Sequence, residues 1–457
     1  MTDTTYHLVG VGGIGMSALA RLLLARGARV SGSDVRRTPL VEALEAEGVR
    51  VAIGHRAENL GEDAGVVVVS SAIARDNPEF VAALERRVTI VTRGEMLARL
   101  AEGHKLVAVA GTHGKTTTTA MLAGIFEHAG LDPTVAVGGV RVDTGTNARA
   151  GGTWFVTESD ESDGSFLHLS PSFAVITNIE NDHISSDAEL PHLLEQFTVF
   201  ANKVPPSGRV VVGTDNKSSS LVARQALAPV STFATRAEAD LIAASIEYAD
   251  LGSRFTVCEL GNELGEVRLP VPGEINVLNA LAALGAARAA GIGFDAVAAA
   301  LANFHGVRRR FEIVGRGAFT VVDDYAHHPT AIAQTIAAAR GFAHGAPVIV
   351  AFQPHRYTRT AYLKDDFARA LATADRVLLT PVYAASEDPI AGVSERSIGE
   401  PLAAAGGNVQ YVADVTDLID RIATDAPPGA LVLMLGAGSI SGVAHRLGER
   451  IAGALAR

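Results

Sequence analysis

Short apolar runs of four to six residues alternate along this chain with longer segments whose apolar side chains recur at helical spacing. In the first hundred residues the runs are Tyr6–Val9, Ala28–Gly32, Val66–Val69 and Val88–Val91. A helical pattern from Met16 to Arg26, ended by Gly27, separates the first two, and Asn77-Pro78 opens another helix before the last. The alternation repeats with Leu106–Ala110, Pro133–Val137, Thr153–Thr157, Ser172–Thr177 and Arg209–Val212, then again with Phe319–Val322, Val348–Phe352, Val377–Thr380, Val409–Val412 and Leu431–Leu435. Strands alternating with helices predict an α/β protein built on mostly parallel sheets. The pattern breaks once, between about residues 229 and 270. There Phe255–Leu260 and Glu266–Val271 flank Gly261-Asn262, which predicts a small antiparallel addition.

Three blocks of alternation in 457 residues predict three domains, at roughly 150 residues each. The expected boundaries are 1–103, 104–311 and 312–457. Glu102-Gly103-His104 forms the first joint, and FHGVRRRF (304–311) the second. The first block reads as Rossmann-like, the middle one as a P-loop ATPase-like, mostly parallel sheet, and the last as Rossmann-like again.

Composition narrows the class. Hydrophobic residues make up 48% and charged residues 19%, as in a soluble globular enzyme. A formal charge of −11 argues against nucleic acid as a partner. The single cysteine, Cys258, excludes an internal disulfide and a cysteine-based metal site. No apolar run approaches the ~20 residues of a membrane helix, and the N-terminus does not read as a signal peptide, so the expected location is cytoplasmic.

The strongest chemical signal is KLVAVAGTHGKTTTT (105–119). An apolar strand meets Gly111-Thr112-His113-Gly114, then Lys115, Thr116 and Thr117, and a helical segment follows to His128. Glycines let backbone N–H groups turn inward around phosphate oxygens. The helix N-terminus and Lys115 add positive potential, and a Thr116 hydroxyl can hold Mg²⁺. The usual spacing would put a glycine at position 109, where valine stands, so the loop is a shortened form. After the Thr153–Thr157 run comes ESDESD (158–163), four carboxylates in six residues. Mg²⁺ takes one or two carboxylates plus phosphate oxygens, and Glu158 lies nearest the strand end. His183, in NIENDH (178–183), can reach the same crevice.

A second glycine turn, Gly10-Val11-Gly12-Gly13-Ile14-Gly15, follows the first strand, with Asp34 24 residues after the first glycine. It fits a bound pyrophosphate without saying whether that belongs to NAD, FAD or a nucleotide sugar. Ser71 ends another strand of this block. Asn276 and Asn279, three apart, share one helix face. In the last block, strand ends carry DDYAHHP (323–329) and QPHRYTRT (353–360), whose arginines suit a small carboxylate or phosphate.

Taken together, HLVGVGGIGMS (7–17), AVAGTHGKTTTT (108–119), ESDESDGSFLHL (158–169), TNIENDH (177–183), GVRRRFE (306–312), DDYAHHPT (323–330) and FQPHRYTRT (352–360) resemble the Mur ligase family over nearly the whole chain. The last two segments resemble its L-alanine-adding members. The resemblance implies an ATP-dependent, Mg²⁺-dependent ligase with UDP-N-acetylmuramate and L-alanine as substrates, working in peptidoglycan precursor synthesis as a monomer or homodimer. Its three domains would bind in turn the UDP-sugar, ATP and the amino acid. It assigns ATP contacts to Gly111, Thr112, His113, Gly114, Lys115, Thr116, Thr117, Asn276, Arg309, Arg310 and Asp324. The metal ligands would be Thr116, Glu158 and His183. The UDP-sugar would meet Gly10, Gly12, Gly13, Gly15, Asp34 and Ser71, and the amino acid Tyr325, His327, His355, Arg356 and Arg359. The catalytic set is Lys115, Glu158, His183 and Arg356; the sequence does not identify the base for the amine, for which His327 and His328 are the candidates. Two departures stand out: Ile275 replaces a histidine of the family pattern, and no lysine follows His183 until Lys203, with Glu195 in that region. The alternatives are a cell-wall-recycling ligase of the same family, one preferring glycine or serine, a non-enzymatic nucleotide sensor, and an NAD-dependent oxidoreductase built on Gly10–Gly15.

Overall fold

The computed structural model describes residues 4–161, 163–180, 190–249, 252–385 and 387–455. Contacts divide the chain into two compact units. Unit 1 comprises Met1–Ala244, Val257–Gly265 and Leu278–His305; unit 2 comprises Ser245–Thr256, Glu266–Val277 and Gly306–Arg457.

Unit 1 holds a parallel sheet and most of a second, mostly parallel one. The first contains β1 (Thr5–Val9), β2 (Arg29–Asp34), β3 (Arg50–Ile53), β4 (Ala64–Val69) and β5 (Thr89–Thr92), in the order β3-β2-β1-β4-β5. β1 lies between β2 and β4, so the chain reverses its direction of winding there. A crevice therefore opens beyond the carboxyl end of β1, where the Gly10–Gly15 turn sits. A buried polar knot braces this sheet from behind. Glu79 Oε2 accepts from Ser33 Oγ at 2.6 Å and lies 2.9 Å from His7 Nε2; its Oε1 accepts from Asn59 Nδ2 at 2.7 Å.

The second sheet begins with β6 (Lys105–Ala110), β7 (Thr134–Ala136), β8 (Ala148–Arg149), β9 (Trp154–Glu158), β10 (Phe173–Ile176), β11 (Arg209–Gly213) and β12 (Val230–Ala234). Its order here is β12-β11-β10-β6-β9-β7-β8, parallel except for β8. β6 has β10 on one side and β9 on the other, a second switch point. Leu106 to Ala110 are all almost fully buried, as a strand covered on both faces must be. β13 (Leu241–Ala249), β14 (Gly252–Glu259) and β15 (Asn262–Leu269) follow as consecutive neighbours, each belonging to unit 1 over only part of its length. Leu260 and Gly261 close the tip between β14 and β15, both at positive φ (50° and 81°), the backbone of a two-residue hairpin turn. The turn falls one residue earlier than the Gly261-Asn262 expected from the sequence.

Unit 2 carries the third sheet: β16 (Glu312–Arg316), β17 (Thr320–Asp324), β18 (Val348–Phe352), β19 (Arg376–Leu379), β20 (Val409–Tyr411) and β21 (Leu431–Leu435). Its order is β16-β17-β21-β18-β19-β20, with only β16 antiparallel to its neighbour. The carboxyl ends of β17, β18, β19 and β21 therefore face one edge. Among the described residues, no helix is long and apolar enough to cross a membrane.

Candidate functional site

In unit 1 the loop after β6 is clamped from the end of β10. Asn178 does most of this: its carbonyl accepts from Thr112 N–H and its Oδ1 from His113 N–H, each at 2.9 Å, while its Nδ2 donates to the His113 carbonyl at 3.1 Å. Thr177 Oγ1 donates to that carbonyl at 2.6 Å, and Thr112 Oγ1 accepts from Glu180 N–H at 2.8 Å. Gly111 (φ 130°) and Gly114 (φ 85°) stand where a side chain is both strained and blocked. A Cβ on Gly111 would strike Thr177 Oγ1, and one on Gly114 would strike Asn279 Oδ1. The helix Lys115–His128 starts immediately after Gly114, with no side-chain cap and no acidic residue in its first turn, so its end remains electropositive.

Two side-chain pairs meet over this loop. Thr116 Oγ1 donates to Glu158 Oε2 at 2.8 Å. Lys115 Nζ donates to Glu161 Oε2 and Oε1 at 2.7 and 3.0 Å, and to the Gly111 carbonyl at 2.6 Å. Burial disfavours the Lys115 ammonium, but Glu161, Asp160 and Glu158 outweigh it and hold its pKa above the ordinary lysine value. Glu158 lies against Gly138, where a Cβ would overlap its carboxylate and force it to shift. This hydroxyl–carboxylate pair is a hard-oxygen donor set of the kind Mg²⁺ accepts. Thr117 is buried in the helix's first turn. His183 lies outside the described residues.

At the β1 turn, Asp34 Oδ2 accepts from Gly12 N–H at 2.9 Å. Gly13 caps the helix Ile14–Ala25 through its backbone. Gly10 has φ 79° and bonds to the Ser33 carbonyl at 2.8 Å, and Ser71 lies exposed beyond β4. Arg93, the first residue of the helix Arg93–Ala101, lies against this turn. A Cβ on Gly15 would come 3.1 Å from Arg93 Cδ. Thr92 and Glu95 close a capping box that fixes this helix start. Arg93 Nη2 reaches Asp163 Oδ2 at 3.1 Å and Ser165 Oγ at 3.2 Å.

In unit 2 an aromatic ladder gathers most of the other residues singled out in the sequence. The guanidiniums of Arg309 and Arg310 lie 4.8 and 5.2 Å from the Tyr325 ring centroid. Tyr325 meets His327 edge-on at 4.9 Å, His327 meets His355 at 5.9 Å, and His355 stacks on Tyr383 at 5.6 Å. Burial pushes the His355 pKa down to about 4, helped by Arg359 and Arg356, so its ring is neutral near pH 7. Arg309, Phe311, Arg356 and Ala385 all have φ between 49° and 71°, a concentration of backbone strain around this edge. Asp324 spends its oxygens on the backbone, accepting from Phe311 and Ala326 N–H at 2.7 Å each. It thereby fixes the segment that presents Arg309, Arg310 and Tyr325. Asn276 Nδ2 donates to the Pro272 carbonyl at 2.7 Å, a local bond at a helix start.

Three side chains central to these sites were read from the sequence only as members of polar strand-end runs, with no role given to them individually in the candidate site: Asn178, Glu161 and Arg93. Each directly follows a strand or lies within three residues of its end, and that position was the available signal. What hid them was the number of other polar residues sharing it.

Models of the family match three stretches: the Mur ligase catalytic domain over residues 5–105, the middle domain over 109–287, and the glutamate ligase domain over 309–438. The chain belongs to the Mur ligase family. Within it, the chain is 44% identical to the UDP-N-acetylmuramate–L-alanine ligase of Carboxydothermus hydrogenoformans, over 96% of this chain and 95% of that one. It superposes on the UDP-N-acetylmuramate–alanine ligase MurC of Thermotoga maritima with a TM-score of 0.86 at 31% identity, covering 98% and 99% of the two chains. A murein peptide ligase of Psychrobacter arcticus gives a TM-score of 0.73 at 27% identity, with 97% and 98% covered.

Proposed function

We propose that this protein is an ATP-dependent ligase that joins L-alanine to the lactyl carboxylate of UDP-N-acetylmuramate, in the cytoplasmic synthesis of peptidoglycan precursors. The observation that carries this reading is the phosphate loop after β6, with Thr116 held against Glu158 at the end of β9 and Lys115 against Glu161 just beyond it. The choice of substrates rests on the relatives that share nearly its full length.

A free carboxylate is a poor electrophile, so it must be activated. The lactyl carboxylate attacks the γ-phosphorus of ATP and ADP leaves, giving an acyl phosphate. The alanine amine then attacks the acyl carbon and phosphate departs. The first step is mainly positioning and charge neutralisation. Lys115 and the helix-start amides of Lys115, Thr116 and Thr117 hold the phosphates, within the loop whose shape Gly111 and Gly114 permit and whose Thr112 and His113 amides are kept by Asn178. Thr116 and Glu158, with His183, would hold Mg²⁺, which neutralises phosphate charge when bound. Gly10, Gly12, Gly13 and Gly15, with Asp34 and Ser71, take the UDP pyrophosphate and its ribose side. Arg309, Arg310 and Asn276 contact the nucleotide, and Asp324 sets the backbone that presents the two arginines. Tyr325, His327, His355, Arg356 and Arg359 form the amino-acid site, where the arginines grip the alanine carboxylate. The amine must lose a proton before attack, and His327 is the group we assign to accept it.

The test is ADP release with Mg²⁺, ATP, UDP-N-acetylmuramate and L-alanine, omitting each in turn. Release that needs all four supports the reading. Release with glycine, L-serine or a murein peptide but not with L-alanine moves the chain to another branch of the family. No release in any mixture overturns it.

A further inference from the structure

Every proton of the Lys115 ammonium has an acceptor within the protein. One goes to the Gly111 carbonyl at 2.6 Å and two go to the carboxylate of Glu161, at 2.7 and 3.0 Å. Glu161 is 5% exposed and the Lys115 side chain is partly buried, so solvent reaches the carboxylate little and screens its charge weakly. Glu158 stands close enough to add its own negative field at the ammonium. An arriving phosphate therefore meets an occupied lysine and a fixed, buried negative charge.

We propose that Glu161 is a specificity-determining residue: it makes the loop discriminate against nucleotide that arrives without a divalent cation. This rests on reading the loop as the ATP site. Bare ATP brings a full negative charge to a position where Glu161 already neutralises Lys115, and like charge at short range is a direct way to reject a wrong ligand. Nucleotide complexed with Mg²⁺ brings that charge largely compensated, so the same carboxylate opposes it far less. Glu161 can then keep part of its bond to Lys115 while the third ammonium proton turns from Gly111 to phosphate. Glu158 answers to Thr116 and Glu161 answers to Lys115. The two acids thus divide the work, one toward the cation and one toward the lysine.

The experiment measures dissociation constants for ATP by calorimetry in the full-length protein, with excess EDTA and with excess Mg²⁺, for the wild type, Glu161→Gln and Glu161→Asp. The wild type should bind the Mg²⁺ complex much more tightly. Glu161→Gln should narrow that ratio by about tenfold, chiefly by tightening metal-free ATP. Glu161→Asp retains the charge and should stay near the wild-type ratio. Thermal melts check that each variant is folded, and the Asp variant keeps the test decisive if Gln is not tolerated. A ratio unchanged in Glu161→Gln, or one that collapses equally in Glu161→Asp, overturns the proposal. Wild-type protein that binds ATP equally well with and without Mg²⁺ overturns it too, while leaving the ATP site standing. Wild-type protein that binds neither form overturns the ATP site itself.

Discussion

Gly138 and Glu158 share one volume: the carboxylate that accepts from Thr116 occupies the space where a Cβ on residue 138 would lie. Gly138 does not have a positive φ, so alanine is acceptable to its backbone and the conflict is purely with the carboxylate. Gly138→Ala should therefore reproduce the effect of Glu158→Ala without touching an acidic residue. Both should lower kcat for ADP release by about a hundredfold or more. The check is the Mg²⁺ concentration giving half-maximal rate, which should rise in both variants; an unchanged value in Gly138→Ala would remove Glu158 from the metal site.

Lys115→Ala removes the only side-chain cation described in direct contact with the loop carbonyls. It should reduce ADP formation by at least about a hundredfold. The β1 turn lies on a different sheet, so UDP-N-acetylmuramate affinity, read by calorimetry, should change by less than about threefold. Loss of that affinity would mean the two ligands do not occupy separate turns.

Arg356 holds a backbone at φ 71° that alanine would strain equally, so Arg356→Ala isolates the side chain. The variant should raise the KM for L-alanine by about tenfold or more and leave that for ATP nearly unchanged. Equal changes in both would point instead to a disturbed strand end, because Arg356 N–H also bonds the Tyr383 carbonyl at 2.9 Å.

Glu79 gives the protein a defined acid limb. Burial pushes its pKa up, but the bonds from His7, Ser33 and Asn59 outweigh this and bring it to about 2, against 4.5 for a free side chain. A folded pKa below the unfolded one means the stabilisation is complete above about pH 4.5 and is lost as pH falls through 2. Glu79→Gln should cost on the order of 3 kcal/mol at pH 7. Denaturant melts from pH 7 down to 3 should show the wild-type advantage shrinking below pH 4.5. A gap independent of pH would mean that packing, not charge, accounts for the cost.

Much of this architecture was legible because fully buried parallel strands announce themselves as continuous apolar runs, as β6, β18 and β21 do. β8 and β16 were not legible. β8 has only two residues, Ala148–Arg149, and β16 is a half-exposed edge strand, EIVGR, lacking a continuous apolar run. β3 was missed for a related reason, since Arg50–Ile53 is partly exposed along its length. At the site, the glycine-lysine-threonine order identified the loop because its chemistry is local. Asn178 and Glu161 were harder, because their partners lie 65 and 46 residues away and spacing along the chain carries no sign of that closure. Asp324 was expected as a nucleotide contact, and its backbone partners, Phe311 and Ala326, were not legible in the sequence.

The clamp on residues 111–114 also bears on dynamics. The Thr112 and His113 amides are tied to the end of β10, beside β6, whose residues Leu106 to Ala110 are buried. A segment so restrained has little conformational freedom left to surrender when a phosphate arrives, so the entropic penalty of recognition there is small. Amide exchange at Thr112 and His113 should accordingly already be slow in the empty protein, with bound nucleotide adding little further protection.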